Sequence, residues 1–308
     1  MIFENLEEIK ALDLQTKKKS LNPKNRFKLQ STLHRSNMML NPLNLKHLNR
    51  LDSLDCDAVT LNLEDAIAPS KKEEALVNIA FFLSHLKECK SEIIIRTNPL
   101  DSGGKEEIEF LRDFCFNAIR ISKVKTESEV EQALAMLNEN TKLHISLETK
   151  EAFGTLAHWK PKKRFERANI GILDLLADLK LPQSLLTVAN PTISHILSKF
   201  LVDAKSIDLE PVSFMFQDYS DKETFKELCV WEKTLGFRSK ACMGPAQVAI
   251  ANEIFAPSTA EIERAVAIKK AFEEHSKKEI HGFLDKKYGF IDEPIYKDAL
   301  NILDNISI

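Results

Sequence analysis

From Arg35 onward the chain repeats one pattern, a short apolar run followed by a longer amphipathic segment. The apolar runs fall at 37–40, 58–63, 92–96, 118–121, 143–147, 168–173, 206–209 and 237–242. Several are unbroken, such as Ile93-Ile94-Ile95, as expected of parallel strands buried on both faces. Between them, 71–86, 128–137, 221–235 and 245–255 carry apolar residues at helical spacing. Eight strands alternating with helices over about 220 residues predict an α/β fold, a (β/α)8 TIM barrel. The alternative, an open doubly wound sheet, is disfavoured by glycine. Only 8 of 308 residues are glycine, against ~7% on average, and none builds a G-x-G-x-x-G or P-loop phosphate cradle.

The rhythm sets the expected boundaries: an N-terminal helical extension (1–34), the barrel (35–257) and a small C-terminal helical lid or oligomerisation segment (258–308). In the extension, residues 4–14 have helical spacing and the basic run Lys17 to Lys28 reads as a solvated arm. In the C-terminal segment, Ser258 with Glu261 three residues on forms a capping-box pattern, opening a helix to about 275. A linker with Gly282 and Gly289 and a last helix over 294–303 follow.

Composition removes several classes. With 44% hydrophobic and 29% charged residues the chain can bury a core and is not disordered. No run approaches the ~20 apolar residues of a membrane span. The net charge of -3 lacks the basic surplus of a nucleic-acid binder. Five scattered cysteines form no C-x-x-C pair, and no secretory leader pattern is present, so reduced thiols in a cytoplasm are expected. The eight histidines show no metal spacing and read as structural or surface residues. Trp159 and Trp231 read as core or interface.

In this fold the active site forms at the C-terminal ends of the strands. There the expected strands end in Glu64-Asp65, Arg96, Lys123, Glu148 and Asp174. A lone carboxylate after a strand can simply cap the next helix, which applies to Asp65 and Asp174. Arg96, closing an almost wholly apolar strand, would be costly to bury unpaired. Two carboxylates on adjacent strand ends with no His or Cys near suit a hard divalent ion such as Mg2+. An arginine beside it can grip a substrate carboxylate. Together they describe a site for a 2-keto acid in which positive charge stabilises an enolate as a C–C bond forms or breaks.

At the same positions the chain resembles the citrate lyase β-subunit-like branch of the HpcH/HpaI aldolase superfamily, which includes malyl-CoA and citramalyl-CoA lyases. Arg35-Ser36 with Pro42 is similar to the opening R-S-x-L-x-x-P, and 58–69 with Lys71 to D-L-E-D-A-V-x-P. Ile95-Arg96-Thr97-Asn98 resembles V-R-I-N, Ser122-Lys123-Val124 resembles P-K-V, and Leu147-Glu148-Thr149 with Gly154 resembles I-E-T-x-x-G. The stretch 171–179 is similar to G-A-E-D-L-A-A-D-L, Gly244-Pro245-Ala246-Gln247 to the strand-eight region, and 289–294 to a tail motif ending in I-D-x-P.

The resemblance implies Glu148 and Asp174 as Mg2+ ligands, with Mn2+ as an alternative ion. It implies Arg96 as the keto-acid and enolate residue, Glu64 as an orienting acid and Asp292 as the acid/base residue, delivered by a neighbouring subunit of a homo-trimer or hexamer. Arg35, Lys123, Asp65, Pro245 and Gln247 would face the rim or the coenzyme A portion of the substrate. The implied activity is a lyase cleaving a 3-hydroxyacyl-CoA to an acyl-CoA and a 2-keto acid, a soluble-substrate enzyme without nucleic-acid or membrane partners.

The chain departs from the family pattern at Asn62 (Asp), Leu173 (an acid) and Gly244 (His), and carries extra residues between Asp208 and Asp221 after strand seven. These departures keep two other readings open. One is a metal-dependent aldolase or lyase on a free acid or another carrier. The other is a non-catalytic binding or regulatory barrel.

Overall fold

The computed structural model describes residues 1–29, 33–304 and 306, and the chain divides into two compact units, Met1–Asn252 and Glu253–Ile308. The first unit contains eight parallel strands: β1 (Ser36–Leu40), β2 (Ala58–Asn62), β3 (Glu92–Thr97), β4 (Ala118–Ile121), β5 (Lys142–Leu147), β6 (Phe165–Ile170), β7 (Glu210–Val212) and β8 (Lys240–Cys242). From β1 to β7 each strand pairs with the next in sequence, and β8 pairs with β1. A parallel bridge from Ser213 to Lys240 joins the remaining edge, so the sheet curls into the expected barrel with helices around it.

Strand parity explains the packing. Ile93 and Ile95 of β3 and Ile119 and Ile121 of β4 alternate with inward-facing neighbours and are fully buried beneath the helices. Phe82, Phe200, Phe214, Phe225 and Phe237 fill the helix-facing layer, each such ring stabilising the fold by roughly 1.5–3 kcal/mol. The inner face is different: Ala58, Ile94 and Ala118 form one small apolar cluster, and above and below it the interior is polar.

The structure shifts three elements from their expected positions. Strand six ends at Ile170, and Gly171 begins the helix Ile172–Asp178, so Asp174 stands on a helix turn. Residues 206–209 are not strand seven: Ser206 ends the helix Pro191–Ser206 and Asp208 adopts φ 63°. Strand seven is Glu210–Val212, which lies inside the stretch read as a loop insertion. The N-terminal arm packs on the barrel at two anchor points, while Lys19, Lys24, Arg26 and Lys28 of its basic run are exposed as expected. Lys17 is buried with Nζ 2.9 Å from Asn78 Oδ1, and the Phe3 ring packs on Phe81 and Phe82.

The second unit has its own core of Ala265, Ile268, Phe272, Ile291 and Ala299. Its helix Thr259–Ser276 opens with the capping box read from Ser258 and Glu261. The expected linker is an antiparallel hairpin, Gly282–Asp285 with Gly289–Asp292, leading into the helix Glu293–Leu303. No helix among the described residues is long and apolar enough to cross a membrane.

Candidate active site

The site starts from where β2, β3 and β5 stop. Asn62 Oδ1 accepts the Glu64 N–H (3.2 Å), and Lys72 Nζ donates to the main-chain oxygens of Leu63 and Glu64 and to Asn98 Oδ1. These bonds fix the turn so that Glu64, 1% exposed, points inward. At the end of β5, Thr149 caps the helix Lys150–Thr155 and donates its hydroxyl to Val124 O, which holds Glu148 at the strand mouth.

Arg96 sits between these two acids. Its Nη1 is 2.9 Å from Glu64 Oε2 and its Nη2 donates to Glu148 Oε1 at 2.7 Å. A buried guanidinium held by two carboxylates is a desolvated network, in which removing one partner typically costs 3–5 kcal/mol. Burial, with Glu64 and Asp174 adding, raises the Glu148 carboxyl above its ordinary range against the opposing pull of Arg96.

Lys123 completes the group. Its φ of 50° is uncommon for a residue with a side chain, and it lets one residue serve two acids. The Lys123 N–H reaches Glu148 Oε2 at 3.3 Å, while Nζ lies 2.8 Å from Glu64 Oε1 and 2.9 Å from Asp65 Oδ1. Burial works against the ammonium charge, but the bonds to Glu64 and Asp65 prevail and its pKa is raised. Burial likewise pulls Asp65 upward, but Lys123 lowers its carboxyl overall.

A cavity of about 380 Å3 opens on this group, lined by Arg96, Glu148, Asp65 and Asp174 together with Arg120 and Asn169. Gly171 forms part of its wall, because a Cβ there would meet Glu148 Cγ at 2.3 Å. Asp174 is exposed, and among the described residues no hydrogen bond or ion pair engages it. Three carboxylates therefore share the cavity: Glu148, held by Arg96, Asp65, held by Lys123, and Asp174, which is without a partner among the described residues. No group of three His, Cys, Asp or Glu side chains able to hold a metal occurs among the described residues. A two-oxygen donor set is what Mg2+ accepts when water and substrate supply the rest, so Glu148 and Asp174 fit that ion.

The structure does not bring every expected residue here. Arg35 precedes β1, at the opposite end of the barrel, and forks onto Asp57 at 2.8 and 2.9 Å. Gln247 is buried with its amide spent on Met243 N–H and Phe216 O, and Pro245 begins a helix; neither lines the cavity. Asp292 lies in the second unit, where it caps the helix Glu293–Leu303 by accepting the Ile295 N–H at 3.3 Å. Conversely, sequence reasoning passed over Lys72, Arg120, Ser146 and Asn169. The last three stand at inward parity within apolar strands, a signal that reading only the strand ends misses.

A parallel α/β barrel with an arginine clamped by two acids beside an open oxygen-rich cavity is the architecture of a barrel enzyme. The chain belongs to the HpcH/HpaI aldolase/citrate lyase family, which matches residues 35–245, and so to a family of lyases. It is 30% identical over 231 residues to a (3S)-malyl-CoA thioesterase of Cereibacter sphaeroides, covering 74% of this chain and 79% of that one. It is 28% identical over 245 residues to an L-malyl-CoA/beta-methylmalyl-CoA lyase of Rhodobacter capsulatus, covering 70% and 77%. Among solved structures, the fold matches CitE of Mycobacterium tuberculosis in complex with magnesium, acetoacetate and coenzyme A, with TM-score 0.65 and 16% identity over 89% of this chain and 98% of that one.

Proposed function

We propose that this protein is a Mg2+-dependent carbon–carbon lyase that cleaves a 3-hydroxyacyl-CoA of the malyl or citramalyl type to an acyl-CoA and a 2-oxo acid. The observation that carries the reading is the Glu64–Arg96–Glu148 clamp at a cavity shared with the unpartnered Asp174. Glu148 and Asp174 would hold the ion. When bound, it would polarise the oxo oxygen and offset negative charge developing as the C–C bond breaks.

This chain's own residues do the rest. Arg96, fixed by its two acids, presents its remaining edge to the substrate carboxylate without reorganising. Glu64 and Lys123 hold that geometry, Glu64 by its ion pairs and Lys123 by spanning Glu64, Asp65 and Glu148. Leu173, Ile172 and Met215 form an apolar part of the cavity wall that limits water. Asp292, supplied by a neighbouring copy, is the proposed acid/base residue.

The names of both relatives support a CoA thioester as substrate. A second reading, a lyase on a free acid or another carrier, is favoured by Gly244, where a Cβ would meet the Tyr219 ring at 2.7 Å. The test is turnover of malyl-CoA and citramalyl-CoA with Mg2+ or with chelator. Glu148→Gln should lose roughly 10²–10³-fold in kcat while remaining folded, the scale of removing one charge-stabilising group. Undiminished turnover in that variant, or in chelator, excludes the proposal.

A further inference from the structure

Arg120 stands beside Arg96 in the strand register and lines the same cavity. It is 3% exposed, its Nε has no partner, and among the described residues no hydrogen bond or ion pair engages its guanidinium. The neighbouring acids are committed elsewhere. Glu64 and Glu148 hold Arg96, and Glu92, deeper in the barrel, pairs with Arg167. His144, its register partner on β5, is kept neutral by burial and by Arg167. On the same wall, Asn169 is 6% exposed with neither its Nδ2 nor its Oδ1 bonded. Position 120 also lies outside the family motifs that the chain resembles, of which the nearest is Ser122-Lys123-Val124.

A guanidinium is always charged, and burying one without a counter-charge is costly. Such a group is useful where negative charge appears only during the reaction, since it then favours the transition state over the neutral ground state. Cleavage of a 3-hydroxyacyl thioester creates charge of that kind. The C3 hydroxyl gives its proton to the acid/base residue, and the freed O–H pair closes the oxo C=O. The C2–C3 bond breaks, its pair forms the enolate C=C, and the thioester C=O pair moves onto the thioester oxygen. The enolate carbon then takes a proton back, giving the acyl-CoA with no co-reactant. Arg96 is already given to the substrate carboxylate, which leaves the thioester oxygen unserved. That oxygen lies three carbons from the C3 oxygen, and Arg96 and Arg120 stand on adjacent strands roughly 4.8 Å apart, so the two spans match.

We propose that Arg120 is a further catalytic residue, the oxyanion site that receives the thioester oxygen as it becomes an enolate, with the Asn169 amide as a second donor. This rests on the lyase reading and divides the charges between two arginines: Arg96 serves the 2-oxo acid half of the substrate and Arg120 the thioester half. It also explains why only Arg96 is clamped. A residue that binds the ground-state carboxylate is fixed in advance by Glu64 and Glu148, whereas one reserved for transient charge must keep its donors open.

The test has three readouts on the full-length protein. In steady-state cleavage of malyl-CoA and citramalyl-CoA, Arg120→Met should lose roughly 10²–10³-fold in kcat with KM changed less than about threefold, and Arg120→Lys should recover part of the loss. In calorimetry, the wild type should bind S-carboxymethyl-CoA, an anionic mimic of the enolate, roughly 10- to 100-fold more tightly than its neutral amide counterpart, the range of one or two charge-assisted hydrogen bonds. Arg120→Met should abolish that preference while leaving the affinity for the amide within about twofold. In urea unfolding, the same variant should show a midpoint equal to or above that of the wild type, because it removes an uncompensated buried charge. A variant that fails to fold, or whose midpoint falls, gives Arg120 a structural role and overturns the assignment. A loss carried by KM, an analogue preference absent from the wild type or kept in Arg120→Met, or wild-type protein that binds neither analogue does the same. Cleavage with unaltered kcat in Arg120→Met overturns the oxyanion site alone and leaves the lyase reading standing, whereas wild-type protein that cleaves no hydroxyacyl-CoA removes both.

Discussion

Gly171 gives up its Cβ position to the side chain of Glu148, whose Cγ would lie 2.3 Å from that atom and whose Oε1 would lie 2.6 Å away. Neither partner can yield cheaply. Gly171 donates its N–H to Leu147 O, and Glu148 is tied to Arg96 and Lys123. Gly171→Ala should therefore turn Glu148 out of the clamp, with an overpacking cost of about 1–3 kcal/mol. Mg2+ affinity should fall roughly 10–100-fold, as when a supporting contact to a metal ligand is lost. Thermal unfolding and calorimetric Mg2+ titration check both; an alanine variant with wild-type ion affinity would show that Glu148 is not a ligand.

Gly244, where the family resemblance implies a histidine, lies against Tyr219 of the loop after strand seven. Tyr219, from that loop, lies where a side chain at 244 would begin. Gly244→His should destabilise the protein by about 1–3 kcal/mol through overpacking. Tyr219→Ala in the same chain should recover most of it. Urea unfolding of the two single variants and the double variant measures the coupling, and strictly additive effects contradict the contact.

Lys240 and Glu232 form a fully buried ion pair at 2.6 Å between β8 and the helix Lys222–Leu235, with the ammonium also 4.0 Å from the Phe214 ring centroid. Burial raises the Glu232 carboxyl and Lys240 opposes it. Lys240→Met strands the acid and should cost roughly 3–5 kcal/mol, whereas the double change with Glu232→Leu should be close to neutral. Equal destabilisation by the single and double variants would show that shape, not charge, is what the pair supplies.

If Asp292 is delivered by a neighbouring copy, two inactive variants should complement each other. Glu148→Gln and Asp292→Asn subunits, unfolded together and refolded as mixed oligomers, should regain activity that neither shows alone. An absence of recovery in oligomers shown to be mixed places the acid/base group on the same chain or elsewhere.

Strand β3 was legible because two buried faces demand an unbroken apolar run, which Ile93-Ile94-Ile95 supplies, and β2, β4 and β5 because their helix-facing positions are apolar at every second residue. Strand β7 was not, since Glu210-Pro211-Val212 contains a charge and a residue without an N–H, both poor strand signals. The alternation in 206–209 imitated a strand while serving as a helix end and a left-handed turn at Asp208. The acids and Arg96 at the rim followed from the rule for strand ends. Arg120, Ser146 and Asn169 required a second rule: in a barrel, a polar residue at inward parity within a strand faces the interior, and those toward the strand's C-terminal end line the cavity. Arg35 misled because a motif match carries no information about which end of the barrel its residue occupies. Its fork with Asp57 needed the fold to be seen.

At the opposite end from the cavity, His34 carries a pH dependence that the active site does not share. Its Nε2 accepts from Arg167 Nη2 at 2.8 Å, since a guanidinium can only donate, so the ring proton sits on Nδ1, 3.4 Å from Glu92 Oε2. Burial and Arg167, with Lys142 adding, lower the imidazole pKa to about 4 against the opposing Glu92 and Asp57. The unfolded chain binds this proton near pH 6.5 and the folded chain does not until about pH 4, so stability present at neutral pH falls as pH drops through that window. About a third of the side chain is exposed, which keeps the effect modest. His34→Gln retains an acceptor for Arg167 and a donor for Glu92 without the titration, and should flatten the decline. Urea midpoints measured between about pH 7 and pH 4.5 for both proteins check this, together with the His34 imidazole resonance. A resonance titrating at the ordinary histidine value, or parallel stability curves, would show that Arg167 does not hold the ring neutral.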